Sequence, residues 1–152
     1  MGAVTQNSFT YPYPRPAVTV DIALVTRDAA PWVLLIQRKA DPFKDRWALP
    51  GGFVDEGERL VDAARRELKE ETGVEQADLE QLHAFGDPGR DPRGWTVSVV
   101  YLALVSPDQL NSKAGDDAAA VGWFPLAEPP PLAFDHADIL ARVRHRLADR
   151  AA

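Results

Sequence analysis

The sequence predicts an α+β domain in which a mixed β-sheet is sandwiched between helices. Extended stretches rich in β-branched or alternating apolar residues predominate along the chain. Helical periodicity is confined to residues 59–72 and 134–150. Helices alternating that sparsely do not fit a parallel doubly wound sheet and point to a mixed one.

Residues 1–16 are polar and proline-rich, with Tyr11-Pro12-Tyr13-Pro14-Arg15-Pro16 at their end. They read as an extended arm ahead of a single domain over 17–152. Such an arm either stays free or covers a neighbouring subunit or a nucleotide. The first strand is expected over 17–26. A turn at Arg27-Asp28-Ala29-Ala30-Pro31 leads to its hairpin partner over 32–38. A charged loop follows, then a short extended run Trp47-Ala48-Leu49-Pro50 into a Gly51-Gly52 turn and a loop over 53–57.

Helix 59–72 ends at Gly73, the residue suited to a left-handed C-cap. At about 100° per residue, Val61, Ala64, Leu68 and Thr72 form its core stripe. Glu67, Glu70 and Glu71 share the adjacent face at i, i+3 and i+4. Strands are expected over 79–86, 95–105 and 121–126, and the helix over 134–150 carries Ile139, Leu140, Val143 and Leu147 inward. Asp135 is placed to N-cap that last helix. Trp47 and Trp95 read as packing residues, and His83, His136 and His145 lack metal spacing.

With 152 residues, 45% hydrophobic and 26% charged, the chain has the make-up of one globular domain. A net charge of −6 argues against a general nucleic-acid surface and against binding to anionic membranes. Without cysteine there is no disulfide framework, thiol nucleophile or thiolate metal site, which fits a cytoplasmic protein. No run approaches the ~20 apolar residues of a membrane span, and the N-terminus lacks a signal-peptide layout.

Three adjacent carboxylates repel one another unless a cation sits among them, and they are hard donors of the kind Mg²⁺ or Mn²⁺ prefers. Alone, Glu-x-x-Glu-Glu is also what a solvated acidic face looks like. Its surroundings decide between the two. Gly52, Glu58, Arg66, Glu67, Leu68, Glu70, Glu71, Gly73 and Val74 fill every specified position of G-x5-E-x7-R-E-U-x-E-E-x-G-U, where U is aliphatic. This run resembles the Nudix box, and Trp47 to Gly52 resembles the aromatic-apolar-Pro-Gly-Gly lead before it.

The resemblance implies an α/β/α sandwich on a mixed sheet. It also implies Mg²⁺-dependent (or Mn²⁺-dependent) hydrolysis of a nucleoside diphosphate linked to X by a metal-activated water. It makes Glu67 and Glu71 direct metal ligands, Glu70 a ligand or base, and Gly51 a carbonyl ligand. Glu58 and Arg66 would orient those carboxylates. Asp116 and Asp117 lie where many family members take a further ligand or base, Asp117 being the catalytic candidate, although a turn explains them too. The loop 86–94 with its following strand resembles the ADP-ribose pyrophosphatase branch. Arg90 and Arg93 are placed to meet a phosphate or ribose of the substrate, and Arg38, Lys39 and Lys44 before the box are further phosphate candidates. For Arg90 and Arg93 a solvated loop is the plainer alternative.

The expected reaction is ADP-ribose to AMP and ribose 5-phosphate, by a homodimer. The alternatives are a house-cleaning nucleoside triphosphate pyrophosphatase acting on oxidised dNTPs and a ligand-sensing regulator. For the regulator, the stretch after residue 126 is short for a winged-helix domain, and the carboxylates are intact.

Overall fold

The computed structural model describes residues 8–108 and 120–151. In chain order the elements are β1 (Ala17–Thr26), β2 (Trp32–Gln37), β3 (Trp47–Ala48), β4 (Gly51–Phe53), α1 (Leu60–Thr72), β5 (Glu80–Phe85), β6 (Thr96–Val105), β7 (Val121–Pro125) and α2 (His136–Ala151). β1 lies at the centre and pairs in parallel with β6 along its whole length, from Ala17↔Thr96 to Thr26↔Val105. Its other edge is shared. β4 takes the first half through Thr19↔Phe53 and Asp21↔Gly51, and β2 takes the second through Val25↔Val33. β3 and β7 join β2, and β5 joins β6, all antiparallel. The sheet is therefore mixed, as the sparse helices require.

Alternation along β1 sorts its side chains between two cores. Val20, Ile22 and Leu24 face α1 through Ala63, Ala64 and Leu68. Ala23 and Val25 face α2 through Ile139, Leu140 and Val143. Strands covered on both faces read as near-continuous apolar runs, which is why β1 and β6 are so rich in Val, Leu and Ile. This is the expected α/β/α sandwich.

Helix α1 starts within one residue of expectation. Arg59 is its N-cap in extended conformation, and Gly73 closes it with φ 78° while donating its N–H to the Lys69 carbonyl. The buried stripe is Ala63, Ala64, Leu68 and Thr72, so Ala63 joins it and Val61 is left half-buried.

Other expectations need correction. Gly51-Gly52-Phe53 is a strand, not a turn, because its backbone completes the open edge of β1. Helix α2 begins at His136 rather than at Phe134, whose φ of 52° is outside the helical range. The Asp135 carbonyl accepts the first helical bond, but its carboxylate is taken by Arg90 at 2.6 and 2.9 Å and does not cap the helix. Trp47 packs as expected, edge-on to Phe124, whereas Trp95 is 54% exposed. Among the described residues no helix is long and apolar enough to cross a membrane.

Candidate active site

The site lies where α1 passes over β4. A side chain on Gly51 would meet backbone, and one on Gly52 would displace the Glu67 carboxylate. A Cβ on Gly51 would fall 2.2 Å from the Val20 carbonyl, and one on Gly52 would fall 2.5 Å from Glu67 Oε1. This close approach lets α1 lay its carboxylates on the strand backbone. The Gly51 N–H donates to Glu71 Oε1 at 2.7 Å.

Arg66 organises the remainder of the acidic face. Its Nε and Nη2 donate to the two oxygens of Glu58 at 2.8 and 2.9 Å, a bidentate pair. Its Nη1 donates to Glu67 at 2.7 Å and lies 3.5 Å from Glu70, while Nη2 also reaches the Phe53 carbonyl. One guanidinium thus ties the 53–58 loop to the helix. The Arg66 hydrogen bond holds the Glu58 carboxyl down at about 2, and Glu58 in turn holds Arg66 above its ordinary value.

The inner carboxylates behave oppositely. Burial, chiefly, pushes Glu71 up to about 8, with Glu67, Asp21 and Glu70 adding like-charge repulsion. Burial also raises Glu67, against the pull of Arg66. Glu70 is half exposed and the least tightly held of the three.

A cavity of about 160 Å³ is lined by Glu71, Gly51, Gly52, Arg38, Arg90 and Arg93. The arginines are each anchored through Nε. Arg38 donates to the Pro42 carbonyl at 2.7 Å, Arg90 to Asp135, and Arg93 to Asp91 at 3.1 Å with Nη2 at 2.8 Å. Anchoring fixes the guanidinium planes in advance. The Phe134 ring is within cation–π reach of two of them, with Arg38 at 4.9 Å and Arg93 at 5.1 Å from its centroid. Burial and the neighbouring Arg93 lower Arg38 from its usual value.

The fold therefore gathers Gly51, Glu71, Arg38, Arg90 and Arg93 around one cavity, with Glu67, Glu58 and Arg66 alongside. Asp116 and Asp117 lie outside the described residues. Asp21, Asp91, Ser98, Phe134 and His136 also belong to the site or support it, and sequence reasoning did not find them. Asp21 and Ser98 are buried polar residues on predominantly apolar central strands, Asp21 being the charged one, which was the available signal. His136, which sequence reasoning set aside, is buried, and that burial lowers its pKa.

A family model described as the NUDIX domain matches residues 15–143. ADP-ribose pyrophosphatase of Methanocaldococcus jannaschii is 45% identical over 128 residues, 84% of this chain and 73% of that protein. The ADPR responsive transcriptional repressor NtrR of Acinetobacter baylyi is 40% identical over 143 residues. That match takes in 91% of this chain, which spans only 57% of the repressor's length. The NUDIX domain of Shewanella oneidensis NrtR, solved with ADP ribose, superposes with a TM-score of 0.79 at 39% identity. It covers 91% of this chain and 94% of that one.

Proposed function

This chain belongs to the NUDIX family and is a pyrophosphohydrolase of it, and on that premise we propose that it hydrolyses ADP-ribose to AMP and ribose 5-phosphate. One observation carries the reading. The buried Glu71 carboxylate and three pre-anchored guanidiniums line a single cavity. A diphosphate needs both, cations for its oxygens and carboxylates to hold a divalent ion against it.

The donor set fits Mg²⁺, or Mn²⁺. Among the described residues no three acidic or histidine side chains converge as a ready-made cage. Magnesium, however, is usually held by one or two carboxylates, with substrate phosphates and water completing its shell. Glu67 and Glu71 would supply those carboxylates, with the backbone of Gly51 beside them. When bound, the ion supplies charge neutralisation on the phosphates and a more acidic water.

This chain's own groups do the remainder. Arg38, Arg90 and Arg93 bind and orient the diphosphate, and Arg66 with Glu58 holds Glu67 in place. Glu70 takes the proton as water attacks phosphorus and the anhydride P–O bond breaks, releasing AMP and ribose 5-phosphate. Assembly as a cytoplasmic homodimer is part of the same reading, supported by the exposed aromatics Phe9, Tyr11 and Tyr13 of the arm. Sedimentation checks it.

A product-resolved screen of ADP-ribose, NADH, diadenosine compounds and oxidised dGTP with Mg²⁺ and Mn²⁺ tests the activity. AMP from ADP-ribose is expected. Pyrophosphate from oxidised dGTP with ADP-ribose ignored would point to nucleotide house-cleaning instead. The similarity to an ADPR-responsive repressor favours one second reading, a sensor that binds ADP-ribose without cleaving it. DNA binding at physiological salt with no turnover would establish that version.

Two expectations follow from the site's electrostatics. Arg93→Ala should raise KM about tenfold with little change in kcat, because it removes a ligand contact of about 1–2 kcal/mol and not a reacting group. Arg90→Ala should in addition lower the melting temperature. Arg90 is only 6% exposed, and its loss strands Asp135 without its partner. Unchanged kinetics in both would remove these side chains from the substrate site.

The second expectation concerns pH. Glu71 is raised from 4.5 to about 8 on folding, so between those values the folded chain holds a proton that the unfolded chain has released. Stability of the metal-free protein from this group is full below pH 4.5 and falls as pH climbs towards 8. Magnesium should consequently raise the melting temperature more at pH 8 than at pH 6. Calorimetric scans at the two pH values decide it, and an equal or reversed increment would contradict the assignment.

A further inference from the structure

The 49–52 segment is gripped from both faces of the sheet. On the α1 side, Glu71 takes the Gly51 N–H at 2.7 Å. On the α2 side, the Leu49 N–H donates to His136 Nδ1 at 3.0 Å, a buried bond between residues 87 apart in sequence. Between these two grips, the Pro50 carbonyl accepts from the Ile22 N–H at 2.8 Å.

The chain leading into α2 runs beside the same segment. Trp47 donates its N–H to the Pro131 carbonyl and accepts from the Ala133 N–H, so His136 arrives opposite Leu49 through a continuous set of backbone contacts. A backbone N–H can only donate, so Nδ1 must present its lone pair. The neutral ring then carries its proton on Nε2, which lies 3.8 Å from Asp21 Oδ1. Asp21 is buried, accepts a hydrogen bond from the Ser98 hydroxyl on the neighbouring strand, and sits against Gly51, within 2.5 Å of where a Cβ would stand.

We propose that His136 is a positioning residue, and that with Asp21 and Ser98 behind it, it fixes the 49–52 backbone under the acidic helix. Its ring borders the cavity, but Nδ1 is taken by the Leu49 N–H and Nε2 lies 3.8 Å from Asp21 Oδ1. It acts through Leu49, which holds Gly51 where Glu71 meets it and lines the same cavity as the arginines. A misplacement of about 1 Å in such a cavity wall can cost on the order of a hundredfold in rate. This inference rests on the hydrolytic reading for its kinetic arm only.

The test combines three measurements. Long-range ¹H–¹⁵N spectra of the wild type should show His136 neutral, with Nδ1 bare and Nε2 protonated. His136→Ala should lower kcat about a hundredfold with KM within about threefold. His136→Asn, whose amide oxygen can accept near the place of Nδ1, should recover most of that loss. A proton found on Nδ1, or an Asn variant as slow as the Ala variant, overturns the proposal, as does wild-type kcat in the Ala variant. If His136→Ala does not fold, the Asn variant is compared with wild type directly, and a hundredfold loss there overturns it. A wild-type chain that cleaves no phosphoanhydride would sink the proposed function, while the tautomer would still be read independently.

Discussion

Glu71→Gln is expected to lower kcat about a thousandfold while the protein melts at or above the wild-type temperature. Both halves come from the same geometry. The carboxylate is buried, raised to about 8, and repelled by Glu67, Asp21 and Glu70. A glutamine keeps the shape, and its amide oxygen can still accept the Gly51 N–H now bonded to Glu71. It removes the charge whose burial disfavours folding above pH 4.5, so stability holds or rises. What it cannot do is bind a hard cation as an anionic ligand. Losing about 4 kcal/mol of transition-state stabilisation corresponds to the thousandfold drop. Glu67→Gln should match that kinetic loss with the melting temperature again held, since burial raises Glu67 as well and Arg66 keeps its bidentate pair with Glu58. Turnover near wild type in both variants would remove these side chains from catalysis.

The largest expected effect on stability belongs to Leu68→Asp, one residue from Glu67 on the same helix. Leu68 is 2% exposed and packs with Ala63, Ala64, Val20 and Ile22. Deleting a buried leucine side chain costs about 2–5 kcal/mol, and placing an unpaired carboxylate there adds several more. Net stability of a domain this size is about 5–15 kcal/mol, so the variant should be largely unfolded at 25 °C. Circular dichroism and urea titration read this directly. A cooperative transition at the wild-type midpoint would show that α1 is not docked through this residue. The contrast between neighbours is informative, because position 67 should fail in chemistry with the fold kept and position 68 should fail in folding.

That contrast was legible in the sequence because helical geometry is local. Residues three and four apart share a face whatever else the chain does, so the carboxylate face and the Leu68 stripe could be separated before any fold was known. Gly73 as the left-handed cap was equally local. Where local rules competed with pairing, they misled. Gly51-Gly52 has the composition of a turn, yet the vacant edge of β1 claims it as a strand. Asp135 has the place of a cap, yet a buried guanidinium 45 residues earlier outcompetes the helix N–H groups for its carboxylate. Trp95 fits a packed strand start by composition, but it lies at the solvent-facing end of its loop.

By itself, then, the sequence determined the sandwich of helices on a mixed sheet, the acidic helix face, its core stripe and the arginine-bearing loop. Each is written in spacing of a few residues. Only tertiary structure decided that Asp21, Ser98 and His136 stand behind the 49–52 segment. Partners separated by 77 and 87 residues leave no periodic trace in a single chain. The parallel register of β1 and β6 and the docking of α2 bring them together, and a buried polar group is stable there only because those partners meet its hydrogen bonds.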